Sequence, residues 1–212
     1  MNISILITSK EHPVNTYINK WVEKNKSHQI SVIHSKEELT SGDILFLISC
    51  SDIISKVERS EFKKTLVIHA SDLPHGRGWS PCVWEIINGA TDITLSLLEA
   101  EDKVDTGDIW KKVIVPIPKT ALFDEINELI FNSELDLMDF SIANYKTVKP
   151  KKQLNIDSTY WPKRSPNDSE IDINKGISEQ FNLIRVCDPD RFPAFFYKDG
   201  KRFNITIKRH DG

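Results

Sequence analysis

The run DILFLIS, residues 43–49, is apolar through its middle with no polar residue interleaved. A strand with one face in water alternates apolar and polar side chains, so a strand without alternation must be covered on both faces. The surrounding sequence has to supply that cover, and it alternates strand and helix signals as required. ISILIT is a short apolar strand. VNTYINKWVEK follows Pro13 and sets Val14, Ile18 and Val22 on one helical face. The strand ISVIH, the short helix candidate DIISKVERSEF and the strand TLVIH complete a β-α-β-loop-β-α-β order, the pattern of a parallel sheet with helices on its faces.

Beyond residue 80 the pattern changes. PCVWEIING reads as a helix ending at Gly89, TDITLSLLEAE as a half-buried strand, and DIWKKVIVPI as a further strand. A long helix follows over ALFDEINELIFNSELDLMDFSIANY, with Thr120 as its expected cap and Asp124 and Glu125 at the favourable end of its dipole. Residues 146–172 are polar and contain Pro150, Pro162 and Pro166, so they predict an extended crossing. A short helix, ISEQFNLIRVC, precedes two strands joined at Asp199-Gly200, a hairpin signal. The expected division is a core at 1–146 and an extension at 147–212.

Several chemistries are disfavoured. The net charge of the 212 residues is −3 with acids and bases interspersed, so no basic field for nucleic acid is expected. KTVKPKK (146–152) reads as a solvated linker. MNISILITSK reads as a first strand rather than a signal peptide, and no run approaches the roughly 18 apolar residues of a membrane span. Cys50, Cys82 and Cys187 are widely spaced, which suits reduced thiols and a cytoplasmic setting. No GxGxxG, Walker or GxSxG motif occurs, and the six histidines lack metal-ligand spacing, so a dinucleotide enzyme, a P-loop kinase, a serine hydrolase and a zinc site are all disfavoured.

Two features remain. His69 closes a strand of an open parallel sheet, the rim where ligands bind in such folds. EAEDKVDTGDIW, residues 99–110, is a carboxylate-rich loop between two strands, able to bring Asp105 to the imidazole; a His–Asp pair is general acid–base equipment. Each feature taken singly also fits a structural histidine and a solvated loop.

Taken together they are specific. HASDLP, Arg77-Gly78, Pro81, Trp84, NGATDIT and DTGDIW follow one another in the order and spacing of the formyltransferases that use N10-formyltetrahydrofolate. The chain resembles that family strongly over 67–110. YWPKRSPNDSEID, NLIRVCDP and AFFY, over 155–200, resemble the segment that follows the core in members acting on amino sugars. The resemblance implies a Rossmann-like core, a mostly parallel twisted sheet and a short extension ending in a β-hairpin. It implies His69 as oxyanion stabiliser and proton carrier, and Asp105 as its orienting partner. It places the folate against Ser51, Asp52 and Ile53 and against Asp102, Lys103 and Val104. Ser71, His75, Arg77, Trp84 and Tyr160 are the candidates for the acceptor.

One position departs from the family. Its asparagine two residues before the histidine is Val67 here. A backbone N–H, Ser71 or His75 replaces that donor, or turnover is lower, or the fold is kept without activity; the sequence leaves the three open. For the acceptor, the resemblance favours a nucleotide-linked deoxyamino sugar, such as a UDP- or dTDP-4-amino-4,6-dideoxy sugar. Methionyl-tRNA would call for a basic surface and an additional barrel, and glycinamide ribonucleotide for a glycine-rich phosphate loop after the first strand. No membrane or nucleic-acid partner is expected, and a homodimer is left open.

Overall fold

The computed structural model describes residues 1–210. The chain runs β1 (Asn2–Leu6), α1 (Val14–Lys24), β2 (Gln29–Ile33), β3 (Gly42–Leu47), α2 (Lys56–Ser60), β4 (Phe62–His69), a two-residue β5 (Arg77–Gly78), α3 (Pro81–Ile87), β6 (Asp92–Glu99), β7 (Ile109–Pro116) and α4 (Phe123–Ala143). The extension adds a two-residue β8 (Tyr160–Trp161), α5 (Ile177–Arg185), β9 (Ala194–Lys198) and β10 (Lys201–Ile205).

Six strands form one sheet in the order β2-β1-β3-β4-β6-β7. The first four are parallel; β6 and β7 are antiparallel additions. In β3 the alternation of side chains across the sheet is visible in what each residue packs with. Ile44 and Phe46 join the large core with α1 and α4, whereas Leu45 and Leu47 join a smaller cluster with Leu6, Ile33, Ile54 and Phe62. Both faces are therefore covered, as the unalternating run requires. Each such fully buried side chain contributes about 1.5–3 kcal/mol relative to exposure.

The helices differ from expectation in two details. On α1 the third buried residue is Trp21, while Val22 is half-buried. Trp21 also donates its indole N–H to Asp139 of α4 at 2.6 Å, so the larger ring both fills the interface and satisfies its polar atom. On α4 the cap is Leu122, not Thr120. Glu125 accepts the Leu122 N–H at 2.9 Å, so the carboxylate in the first turn does the capping from inside the helix.

The extension is stitched to the core. Lys151 exchanges backbone hydrogen bonds with Ile109, and β8 pairs with β5 in parallel. Gly78 has φ +99°, and a Cβ there would stand 2.4 Å from the Trp161 carbonyl oxygen, so only glycine allows the two chains to approach. The Arg185 guanidinium is buried against the turn before α4, donating to the carbonyls of Pro118 and Ala121 at 3.0 and 3.1 Å. The hairpin turns at Asp199-Gly200, both with positive φ, which suits the twist of its strands.

Candidate active site

The parallel half of the sheet meets the antiparallel half at β4, and His69 is its last residue, paired with Ser96 of β6. The strand ends, the loops that follow and the extension enclose a cavity of about 650 Å³, within the range of small-molecule sites.

His69 is 7% exposed and lines this cavity. Its Nε2 lies 2.8 Å from the Gly76 carbonyl oxygen. A carbonyl only accepts, so Nε2 carries the proton and the lone pair of the neutral ring is on Nδ1. Nδ1 stands 3.5 Å from Asp105 Oδ1, and the Asp105 side chain is 6% exposed. A proton taken up on Nδ1 is thus held against a carboxylate out of bulk water.

The Asp105 side chain is fixed by its backbone. The residue has φ 55°, a left-handed conformation that aspartate tolerates better than most residues. Its Oδ2 accepts the Gly78 N–H at 2.9 Å, and the Gln153 amide donates to its carbonyl at 2.8 Å and to that of Gly107 at 3.0 Å. At Gly107 a Cβ would lie 1.8 Å from the Glu99 carbonyl oxygen. The Asp-Thr-Gly turn can fold back on β6 only without that atom.

Two loops flank the pair. Ser51, Asp52 and Ile53 line the cavity, as does Val104, with Ile54, Leu98 and Ala100 adding apolar surface. Asp102 and Lys103 are outside the lining. Arg59, which the sequence did not single out, clasps the loops together: it donates to the Ile54 carbonyl at 2.6 Å and pairs with Asp102 at 2.5 Å. The result is a slot between the two loops, its apolar lining supplied by Ile53, Ile54, Leu98, Ala100 and Val104.

The residues put forward for the acceptor are not gathered in the same way. Ser71 is fully buried and donates to the His75 carbonyl at 2.8 Å, while its own carbonyl accepts from Ser96. His75 is exposed and does not line the cavity. Arg77 donates to Gln153 at 2.7 Å and to the Tyr160 hydroxyl at 3.3 Å. Trp84 stacks on Trp161 and donates to the Pro162 carbonyl at 2.9 Å. These contacts hold the extension against the core. The cavity wall on this side comes instead from Trp79, Ser80, Lys163, Arg164 and Ser165, and from His12, Asn127, Glu134, Asp188 and Arg191.

Val67 lines the cavity with an aliphatic side chain. Cys50 and Cys82 also line it, but desolvation pushes their thiols up to about 11 and about 12, so neither is a thiolate nucleophile near neutrality. Among the described residues no cluster of His, Cys, Asp and Glu could hold a metal ion, and no helix is long and apolar enough to cross a membrane.

Comparison with known proteins agrees with the geometry. The family model described as formyl transferase matches residues 2–138. The methionyl-tRNA formyltransferase of Desulfotalea psychrophila is 34% identical over 145 residues, covering 66% of this chain and 44% of that protein. The chain spans 44% to 62% of the length of the curated relatives it matches. Among solved structures, a methionyl-tRNA formyltransferase from Clostridium thermocellum superposes with a TM-score of 0.82 at 27% identity, covering 100% of this chain and 95% of that one. A sugar 3N-formyl transferase crystallised in the presence of dTDP and 5-N-formyl-THF shares the fold, with a TM-score of 0.65 at 20% identity over 88% of this chain and 78% of that one. The paired His69 and Asp105, the sheet that presents them and these similarities have one explanation: the chain belongs to the formyl transferase family.

Proposed function

We propose that this protein transfers a formyl group from N10-formyltetrahydrofolate to the primary amine of a nucleotide-linked deoxyamino sugar. The observation that carries the reading is the His69–Asp105 pair, 3.5 Å apart and screened from bulk water inside one cavity.

The formyl donor supplies a carbonyl carbon already bonded to a nitrogen leaving group. The slot between the 51–54 and 98–104 loops holds its fused ring, and Arg59 keeps the loops at their spacing. The acceptor's nitrogen lone pair forms the new C–N bond while the carbonyl pair moves to oxygen. His69 Nδ1 accepts the proton that the amine sheds, and Asp105 balances the resulting imidazolium. As the bond to the folate nitrogen breaks, the same imidazolium returns the proton to that nitrogen. The Gly76 carbonyl and the Gly78 N–H hold ring and carboxylate in register throughout, so little reorganisation accompanies the reaction.

Val67 offers no hydrogen bond to the developing oxyanion, and Ser71 and His75 are both turned to other tasks or to solvent. The imidazolium itself is then the group available for that charge. For the acceptor, support comes from the extension, which folds over the cavity with Lys163 and Arg164 in its wall, cations suited to a diphosphate.

The test is incubation with N10-formyltetrahydrofolate and a panel of UDP- and dTDP-linked amino sugars, with methionyl-tRNA as a separate arm. Tetrahydrofolate release together with a sugar product heavier by one formyl group is expected. Formylation of the tRNA alone would reassign the acceptor, and no release in any arm would favour a silent relative that binds without turnover.

A further inference from the structure

The α4 wall of the cavity contains polar groups that the reaction above does not use. Asn127, Phe131 and Glu134 follow one another at i, i+4 and i+7, so they share one face of the helix, and all three line the cavity. His12, from the loop before α1, lies beside them, its ring 5.8 Å from that of Phe131. His12 Nδ1 accepts the Val14 N–H at 3.3 Å, so its Nε2 bears the proton and is the ring's remaining donor.

Glu134 is the anomaly. It is 6% exposed, and its Oε2 is buried with no hydrogen-bond partner. A buried polar oxygen without a partner is a cost to the fold, and in native proteins such groups are rare enough to need a reason. Burial pushes its carboxyl up to about 8 and the His12 imidazole down to about 4, so both are neutral near pH 7. A neutral acid, an amide and an imidazole donor grouped on one cavity wall, beside the buried Phe131, are a surface for a polyhydroxylated ring. The hydroxyls of such a ring exchange hydrogen bonds with these polar groups.

We propose that this wall is the sugar subsite of the acceptor, with Glu134 taking the hydrogen of a sugar hydroxyl and His12 Nε2–H and Asn127 engaging its neighbours. The assignment rests on the proposed transfer to a nucleotide amino sugar, and it names the residues that would select the sugar.

The experiment uses the full chain labelled with carboxyl-¹³C glutamate, with the Glu134 resonance identified as the one lost in Glu134→Gln. The probes are dTDP-4-amino-4,6-dideoxyglucose and, separately, 5-formyltetrahydrofolate. The sugar nucleotide is expected to shift the resonance and the folate to leave it in place. In turnover, Glu134→Leu is expected to raise the KM for the sugar at least tenfold while leaving the KM for the formyl donor unchanged. Formyl transfer to that sugar with an unmoved resonance, or a shift caused by the folate instead, overturns the subsite and leaves the reaction standing. A shift on adding the sugar without any formyl transfer overturns the reaction and leaves the subsite standing. Neither shift nor transfer overturns both.

Discussion

The two walls of the cavity are built differently. One wall is made of strand ends and tight turns, His69 at the end of β4 and Asp105 in the loop between β6 and β7. Backbone geometry fixes these side chains: a left-handed φ at Asp105, a glycine that permits close approach at 107, and carbonyl and N–H partners for each functional group. The opposite wall is made of a helix face, the loop before α1 and the extension, and its polar groups include one with no partner. The first wall is organised before any ligand arrives. The second retains hydrogen-bonding capacity that a ligand can fill. A catalytic apparatus gains from the first arrangement, and a recognition surface from the second.

The largest expected effect tests the preorganised wall. His69→Gln and Asp105→Asn should each lower turnover by about 10²–10⁴-fold, the range for losing general acid–base catalysis, with little change in the melting temperature. Steady-state rates beside thermal melts separate the two quantities. An Asp105→Asn protein that retains wild-type turnover would show that the 3.5 Å pair is structural, and the distinction between the walls would fail.

Val67→Asn is the next largest. It adds a side-chain amide where the cavity has only an aliphatic group. One oxyanion donor is worth about 10²–10³ in turnover elsewhere, so a gain on the order of 10² is expected if the amide reaches the developing charge. Unchanged turnover would mean that His69 already supplies what the amide offers, and would place the preorganised wall nearer completion than its composition suggests.

How much of each wall could be read from the chain follows from the same contrast. β3 was legible because four consecutive apolar residues, Ile44 to Leu47, leave no alternation, and the hairpin because Asp-Gly separates two apolar runs. His69 and Asp105 were legible because a strand end and an Asp-Thr-Gly turn are local signatures, and the family resemblance joined them. Arg59 was not, since its value lies in reaching Ile54 and Asp102 at once, and nothing local marks an arginine for that. Glu134 was missed for the opposite reason. In sequence it is one more acid on a long helix, and its significance is burial, which only the packing of α4 against the cavity reveals. The cap of α4 was misplaced because Thr120 has the right side chain, whereas Glu125 supplies the capping oxygen from within the first turn. The switch to antiparallel pairing at β6 was also silent, since alternation reports which face is buried and not strand direction.

Gly107→Ala probes the backbone side of the comparison without touching a functional group. A Cβ 1.8 Å from the Glu99 carbonyl cannot be accommodated unless the turn moves. A loss of about 1–3 kcal/mol in a denaturant melt is expected, with turnover falling further because Asp105 moves with the turn. Normal stability and turnover would show that the turn has slack, and that the position of Asp105 is set by Gly78 and Gln153 alone.

The smallest effect belongs to the unfilled wall and can be read without any substrate. Glu134 is raised to about 8 from an ordinary value near 4.5, so between those limits the folded chain binds more protons than the unfolded chain, and stability falls as pH rises. His12 is lowered to about 4 from 6.5, which gives the opposite slope, but only below pH 6.5. Glu85, raised to about 7 by burial and by Asp72 and Asp92, adds to the decline up to that point. Glu134 therefore dominates between pH 7 and 8, and Glu134→Gln removes its share while leaving the contributions of His12 and Glu85. The difference in unfolding free energy between wild type and Glu134→Gln should change by up to about 2 kcal/mol from pH 6.5 to 8, at about 1.4 kcal/mol per unit of pH. Parallel pH profiles for the two proteins would mean that Glu134 is solvated or paired in solution, and the contrast between a completed wall and a waiting one would lose its clearest physical sign.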